Sequence, residues 1–90
     1  MNFEWDEQKN NANSAKHGID FETATQLWND GGRIEIHTKF PDEIRSIMIG
    51  RIYGKLWAAI FTQRKGSIRI ISVRRARRKE AALYEKEKSS

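Results

Sequence analysis

The hydrophobic pattern of the first third of the chain predicts an extended start followed by two helices. Asp6 is a good N-cap for the first helix, and Lys16-His17-Gly18 ends it, because glycine readily adopts the left-handed conformation that terminates helices. Asp20 caps the second helix, and Gly31-Gly32 ends it. Apolar residues at helical spacing form the predicted inward stripe of this helix: Phe21, Ala24, Leu27 and Trp28. The extended start is a candidate edge strand.

Four strands are predicted in the middle of the chain, at residues 33–40, 44–53, 56–64 and 67–74. The first alternates isoleucine with polar residues and is predicted to break at Pro41-Asp42. The second turns at Gly54-Lys55. The third is almost continuously apolar, which is typical of a central strand covered on both faces. A hairpin turn at residues 64–66 joins it to the fourth.

The fourth strand and the segment after it complete the predicted fold. Alternation places its side chains in two sets on opposite faces: Ile68, Ile70 and Ser72 on one, and Arg69, Ile71 and Val73 on the other. From about Ala76 the pattern is helical. The sequence therefore predicts an α+β fold, with a small antiparallel β-sheet, two N-terminal helices and a C-terminal helix. Residues 1–90 suit a single domain, with 85–90 as a frayed tail.

Charge is unevenly distributed along the 90 residues, whose formal net charge is +5. Residues 1–43 contain four Lys or Arg and nine Asp or Glu, whereas residues 44–79 contain eleven Lys or Arg and no acid. A basic segment of this density indicates a polyanion partner, most often nucleic acid. The alternative interpretation is a solvated surface that charge keeps soluble.

Composition disfavours several classes of protein. No apolar run approaches the roughly 20 residues that cross a membrane. The N-terminus is too acidic and polar for a signal peptide, so we expect a cytoplasmic protein without membrane contact. Zero cysteines exclude disulfides and thiolate ligands. The two histidines and the scattered carboxylates show no metal-ligand spacing, and there is no phosphate-binding glycine loop, so neither a metal nor a cofactor is predicted.

The start of the last helix carries a cluster of cations: Arg74, Arg75, Arg77, Arg78 and Lys79. The N-terminus of a helix is its positive end, so each cation there is disfavoured by a few tenths to about 1 kcal/mol. A phosphate docked between the strand end and the helix start would relieve this repulsion. Three structural alternatives are arginine stems that cover the sheet, an Arg77–Glu80 pair, and acids of residues 1–43 that fold over the cluster.

Further arginines lie on the neighbouring predicted strands: Arg51, Arg64 and Arg69. The planar guanidinium group matches phosphate oxygens and stays protonated. If the strands are antiparallel, we expect these groups to share one hollow with the cluster at the helix start, near His17.

Two segments resemble the BrnT family of toxins from type II toxin–antitoxin modules: "AKHG" at residues 15–18 and "IRIISVRRARRKE" at residues 68–80. The likeness covers almost the whole chain. It implies a RelE-like α+β fold and a compact, metal-independent ribonuclease that blocks translation by cutting RNA. It also implies a cognate BrnA-like antitoxin with a ribbon-helix-helix DNA-binding domain. The complex of the two would repress its own operon, so that the toxin meets operator DNA only through the antitoxin.

The resemblance carries candidate site residues over position by position: Lys16, His17, Arg64, Arg69, Ser72, Arg74, Arg75, Arg78, Glu80 and Tyr84. The chain departs from the family at the end of the third strand. Phe61 and Gln63 stand there in place of the tyrosine and glutamate that the family commonly has. No role of that glutamate carboxylate or that tyrosine hydroxyl is therefore carried over from the family to this chain.

Metal-free RNA cleavage needs a base for the 2′-hydroxyl, an acid for the 5′-oxygen and cations for the phosphate. The candidates for catalysis are His17, Arg64, Arg69, Glu80 and Tyr84. The candidates for RNA phosphate binding are Lys16, Arg51, Arg74, Arg75 and Arg78. His17 is the best proton handler because imidazole titrates near neutral pH, although a histidine at a helix end often interacts with the dipole alone.

Structural interpretations compete with several of these assignments. Glu80 is also placed to pair with Arg77, and Tyr84 to pack the last helix onto the sheet. His37 is predicted to be an exposed strand residue. Two other functions also fit the basic segment: a non-catalytic nucleic-acid-binding module, and a basic face that serves only to bind an acidic partner.

Overall fold

The computed structural model describes residues 1–39 and 44–89. The elements follow in the order β1 (Asn2–Glu4), α1 (Glu7–His17), α2 (Phe21–Ala24) continued by a 3₁₀ helix (Thr25–Asn29), β2 (Ile34–Lys39), β3 (Ile44–Ile52), β4 (Lys55–Arg64), β5 (Ser67–Arg75) and α3 (Arg78–Ser89). This is the α+β class predicted from the sequence. Within the described ranges, no helix is long and apolar enough to cross a membrane.

The sheet has the strand order β1-β5-β4-β3-β2. The extended start does form an edge strand, but it runs parallel to β5, with Phe3 opposite Ile68. The remaining neighbours are antiparallel. The sheet is therefore mixed, and the prediction of a purely antiparallel sheet was wrong.

Helix caps follow the sequence prediction closely. Asp6 Oδ1 accepts hydrogen bonds from the backbone N–H groups of Gln8 and Lys9, at 2.8 and 3.1 Å. Gly18 ends α1 in the left-handed conformation, at φ 74°. Asp20 caps α2 through the N–H of Thr23 at 2.6 Å, and this hydrogen bond lowers the pKa of the Asp20 carboxyl.

Three predicted boundaries differ from the structure or lie outside it. The hairpin between β3 and β4 turns at Tyr53-Gly54, both with positive φ, one residue earlier than expected. Helix α3 begins at Arg78 rather than near Ala76 and continues to Ser89, so most of the predicted tail is helical. The predicted break at Pro41-Asp42 lies outside the described residues.

Hydrophobic cores lie on both faces of the sheet, with β4 at its centre as predicted. On one face, α1, α2 and the 3₁₀ helix cover a core that includes the whole predicted stripe of the second helix: Phe21, Ala24, Leu27 and Trp28. On the other face, Tyr84 of α3 packs with Ile49 and Ala58. Adjacent residues Ala58 and Ala59 thus belong to different cores, which is why β4 reads as continuously apolar.

A β-bulge changes the predicted facing of β5. Ile60 of β4 pairs with Ser72, whereas Phe61 pairs with Ile70, so Ile71 has no partner in the register. One extra residue reverses the alternation beyond it. Val73 therefore joins Ile70 in the core under the N-terminal helices, and the prediction that it faces the opposite side was wrong.

A buried asparagine ties α1 to the sheet. The Asn13 side chain accepts a hydrogen bond from the backbone N–H of Val73 at 3.0 Å and donates one to the carbonyl of Ile19, also at 3.0 Å. It is 7% exposed. Both partners are backbone groups that would otherwise be buried without a hydrogen bond, so this side chain fixes α1 over β5.

Replacing Asn13 with alanine should destabilise the protein by about 2 kcal/mol, because two buried backbone groups lose their partner. Asn11→Ala is a matched control, since Asn11 lies on the same helix but is exposed. The midpoint of urea unfolding should fall for N13A and stay close to wild type for N11A. Equal midpoints for the two variants would contradict this role of Asn13.

Candidate functional site

The charge cluster at the start of α3 is held by an internal ion pair. Arg74 donates from both terminal nitrogens to Glu80, at 2.7 Å to Oε1 and 2.9 Å to Oε2. The backbone N–H of Arg77 also donates to Glu80 Oε1, at 2.8 Å. Because Glu80 is the third residue of the helix, it closes the first turn as in a capping box. A carboxylate thus lies at the positive end of the helix, where the dipole favours it.

This geometry changes the predicted partner of Glu80. The sequence indicated an ion pair with the Arg77 side chain, but the guanidinium that binds Glu80 belongs to Arg74, and Arg77 contributes its backbone. The two-point hydrogen bond from Arg74 lowers the pKa of Glu80, and Glu80 in turn raises the pKa of Arg74. A carboxylate held in this way is a poor proton acceptor, so the geometry favours a structural role for both residues.

A second polar cluster joins α3 to the sheet through Asp30. The Tyr84 hydroxyl donates to Asp30 Oδ2 at 2.8 Å, and the Arg51 backbone N–H donates to the same oxygen at 2.7 Å. The N–H of Gly32 donates to the other oxygen at 2.9 Å. Burial alone would raise the pKa of Asp30, but these hydrogen bonds outweigh it and the pKa is lowered. Burial and the bond to Asp30 raise the pKa of Tyr84.

Two more of the predicted cations have acidic partners. The Arg51 guanidinium lies 5.6 Å from the Tyr84 ring centroid and donates to Glu85 at 2.7 Å. Arg69 lies 3.8 Å from Glu4 on β1. Glu4 belongs to the acidic first half of the chain, but Arg69 lies outside the cluster at the helix start, so this contact does not test whether acids fold over that cluster.

Arg64, at the end of β4, lines a hollow of about 450 Å³ that also holds proton-transfer groups. His37 Nδ1 lies 3.0 Å from Ser46 Oγ, and His37 Nε2 lies 3.3 Å from Glu35 Oε2. The β2–β3 register places His37 directly opposite Ser46. His37 is exposed, as predicted, but it is one member of a chain of three polar side chains beside an arginine.

Thr62 lines the same hollow and is 6% exposed. Its Oγ1 has no hydrogen-bond partner among the described residues and is closed off from solvent. A buried hydroxyl without a partner costs free energy, but an atom without solvent contact does not bind a ligand in an open hollow. The side chains that the hollow offers to a ligand are a guanidinium, an imidazole and a carboxylate, all three on exposed residues.

His17 lies at the other end of the sheet. The residue after it, Gly18, lines a hollow of about 390 Å³ together with Lys55 and Trp57. Arg75 extends from β5 over the Trp57 ring, 5.4 Å from its centroid. The exposed cations Lys16 and Arg78 lie on the two helices whose ends border this part of the sheet.

The predicted cations do not share one hollow. Trp57 and Arg64 are seven residues apart on β4, which corresponds to about 23 Å of strand. The hollow at Gly18 and Trp57 and the hollow at Arg64 therefore lie at opposite ends of β4. Arg51 lines a third hollow, with Tyr84 and Lys88. The structure separates an Arg64 end from a His17 end. Of the paired arginines, Arg69 lies opposite Thr62 at the Arg64 end, and Arg74 lies opposite Ala58 at the other end.

Sequence reasoning missed four polar residues of these clusters: Asn13, Asp30, Glu35 and Ser46. An aspartate directly before Gly31-Gly32 was a usable signal for Asp30, since such a side chain commonly accepts hydrogen bonds from the following turn. Glu35 and His37 are two residues apart on a strand and so share a face. In the described part of the chain, no group of three or more His, Asp or Glu side chains could hold a metal ion.

Removing the Glu80 carboxylate should destabilise the protein by about 2 kcal/mol, because Arg74 and the Arg77 N–H lose a charged acceptor. The pKa of Glu80 is lowered by folding, so its contribution is complete above the ordinary value of 4.5 and is lost as the pH falls through the folded value. Unfolding curves of wild type and Glu80→Gln should thus differ at pH 7 and converge in acid.

Glu85→Gln serves as the control for this prediction. Glu85 also binds an arginine at 2.7 Å, but its side chain is 54% exposed, against 13% for Glu80. Exposed pairs contribute less than about 1 kcal/mol. A loss for Glu85→Gln as large as that for Glu80→Gln would show that burial of the Arg74–Glu80 pair is not what matters.

Comparison with known protein families identifies the family to which the chain belongs. No curated protein matches it. A sequence profile described as the ribonuclease toxin BrnT of type II toxin–antitoxin systems matches residues 5–80. The matched range begins directly after β1 and runs through the first turn of α3, and so includes strands β2 to β5 and the Arg74–Glu80 pair. The chain belongs to the BrnT family of ribonuclease toxins of type II toxin–antitoxin systems.

Proposed function

We propose that this protein is a metal-independent endoribonuclease that inhibits translation by cutting RNA and is neutralised by a cognate antitoxin. The family supports ribonuclease activity and an antitoxin partner at the general level. The Arg64 hollow supports the more specific claim, because it brings an arginine together with an imidazole and a carboxylate. The RelE-like arrangement and the cytoplasmic location implied by the resemblance are part of the same proposal.

Arg64 is the cation best placed to meet a phosphate next to proton-transfer groups. It is exposed at the end of β4, whereas Arg74 is held by Glu80, and its hollow also contains His37. A guanidinium that contacts two phosphate oxygens stabilises the negative charge that builds up during cleavage. Exposed cations at the His17 end, such as Arg75 and Arg78, are placed to contact RNA backbone farther along the strand.

The antitoxin completes the proposal. Residues 44–79 have no acidic residue of their own, so an acidic or helix-rich segment of a partner would be attracted to the exposed part of this surface. We expect that partner to carry a ribbon-helix-helix domain and to supply the contact with operator DNA. The proposal requires no cofactor.

Induced expression of the wild-type chain in bacteria should arrest growth, and Arg64→Ala should relieve the arrest because the phosphate loses its main cation at the hollow. Lys65→Ala is the matched control, since Lys65 is an exposed cation in the adjacent turn. Growth curves after induction, with immunoblots for protein level, measure both. Full toxicity of Arg64→Ala at wild-type level would contradict the assignment of Arg64.

The same cultures separate this proposal from a non-catalytic nucleic-acid-binding module. A ribonuclease should leave shortened cellular RNA within minutes of induction, visible on a gel. A binder should leave the RNA intact and show a steep dependence of affinity on salt concentration. Intact RNA in arrested cells would therefore overturn the proposed activity.

A further inference from the structure

We infer that Glu35 and His37 are the proton-transfer pair of this ribonuclease, and that Arg64 binds the phosphate on which the pair acts. This inference rests on the proposed function and specifies its active site. It assigns the proton-transfer step to the hollow at Arg64, and not to His17 at the other end of the sheet.

Sheet geometry fixes the pair in place. Glu35 and His37 are alternate residues of β2 and so project from the same face. Each sits in the antiparallel register with β3, Glu35 opposite Met48 and His37 opposite Ser46. Residues on paired strands are held more rigidly than residues on loops, and catalysis needs groups placed within a fraction of an ångström.

Ser46 orients the imidazole. It is 7% exposed, and its Oγ lies 3.0 Å from His37 Nδ1, while Glu35 Oε2 lies 3.3 Å from Nε2 on the other side of the ring. In the protonated ring both nitrogens donate, one to the carboxylate and one to the hydroxyl oxygen. The ring is nevertheless 67% exposed at its side chain, so substrate can reach it.

The other lining residues fit a phosphate. Arg64 supplies a planar donor fork. Gln63 lines the hollow as well and can donate from its neutral amide. Among the lining residues that the structure describes, Glu35 is the only carboxylate, so it is the candidate base of this hollow.

The reaction balances with these groups alone. The 2′-oxygen attacks the phosphorus, the bond from phosphorus to the 5′-oxygen breaks, and the products are a 2′,3′-cyclic phosphate and a 5′-hydroxyl end. Glu35 takes the proton from the 2′-hydroxyl, and protonated His37 gives a proton to the 5′-oxygen after exchanging one present partner for it. Proton transfer from Glu35 to His37 across their direct contact restores the starting state.

The remaining polar clusters are less suited to this role. Glu80 is engaged by Arg74 at two points, and Asp30 by three hydrogen bonds. Tyr84 is 2% exposed and is bonded to Asp30. His17, the other histidine in the sequence, precedes Gly18, whose hollow lies at Trp57, about 23 Å of strand from Arg64.

The test compares histidine with histidine and glutamate with glutamate. Purified full-length wild type, His37→Gln, Glu35→Gln, His17→Gln and Glu22→Gln would be incubated with a short single-stranded RNA in the presence of EDTA. Glu22 is an exposed carboxylate on α2 and serves as the control for Glu35. His37→Gln and Glu35→Gln should each lose about 100-fold or more in cleavage rate. The control Glu22→Gln should cut at the wild-type rate, whereas a loss for His17→Gln without a loss for His37→Gln would overturn the inference.

Product ends and folding provide independent readouts. Mass spectrometry of the wild-type products should show a 2′,3′-cyclic phosphate, and RNA with a 2′-O-methyl group at the cut site should stay whole. Circular dichroism should show that all variants are folded. Wild-type rates for both folded His37→Gln and folded Glu35→Gln would overturn this inference while leaving the ribonuclease proposal intact. Failure of the wild type to cut RNA would overturn the ribonuclease proposal itself.

Discussion

The buried two-point contact between Arg74 and Glu80 is the interaction on which the arrangement of the basic segment depends. It joins the end of β5 to the first turn of α3 and supplies the carboxylate that the positive helix end requires. Without it, the helix would begin with cations alone. With it, α3 can start beside the sheet, and Tyr84 reaches the core formed with Ile49 and Ala58. A charge pair thus makes possible the hydrophobic packing of the C-terminal helix.

Ion pairs between arginines and glutamates of the same chain also determine which cations remain able to bind a partner. Arg51, Arg69 and Arg74 each contact a glutamate, although residues 44–79 contain no acid. Their carboxylate partners come from β1 and from α3, the elements on either side of the basic segment along the chain. The density of positive charge in the sequence therefore overstates the charge offered to RNA. Exposure at the two ends of the sheet, rather than the number of cations, identifies the surfaces on which a polyanion can dock.

Short sequence patterns correctly predicted the parts of the fold that interactions between nearby residues determine. The caps at Asp6 and Asp20 and the stop at Gly18 are set by side chains within a few residues, and the buried stripe of the second helix by its period. The bulge at Ile71 and the parallel pairing of β1 depend on contacts between distant segments, so alternation alone could not reveal them. For the candidate site, the sequence identified Arg64. It did not identify Glu35 and Ser46, because their proximity to Arg64 results from the pairing of β2, β3 and β4.

Burial of apolar side chains fixes the register of β2 against β3, and so fixes the position of the proposed catalytic residues. Ile34 and Ile36 of β2 pack toward α3, while Glu35 and His37 alternate with them and project from the opposite face. A slip of one residue in the β2–β3 pairing would expose both isoleucines and carry the imidazole to the face of α3. The apolar residues thus disfavour every β2–β3 register that is shifted by an odd number of residues, and each of these would separate His37 from Ser46. The site needs no dedicated loop to position its proton-transfer groups, because the core that stabilises the sheet already positions them.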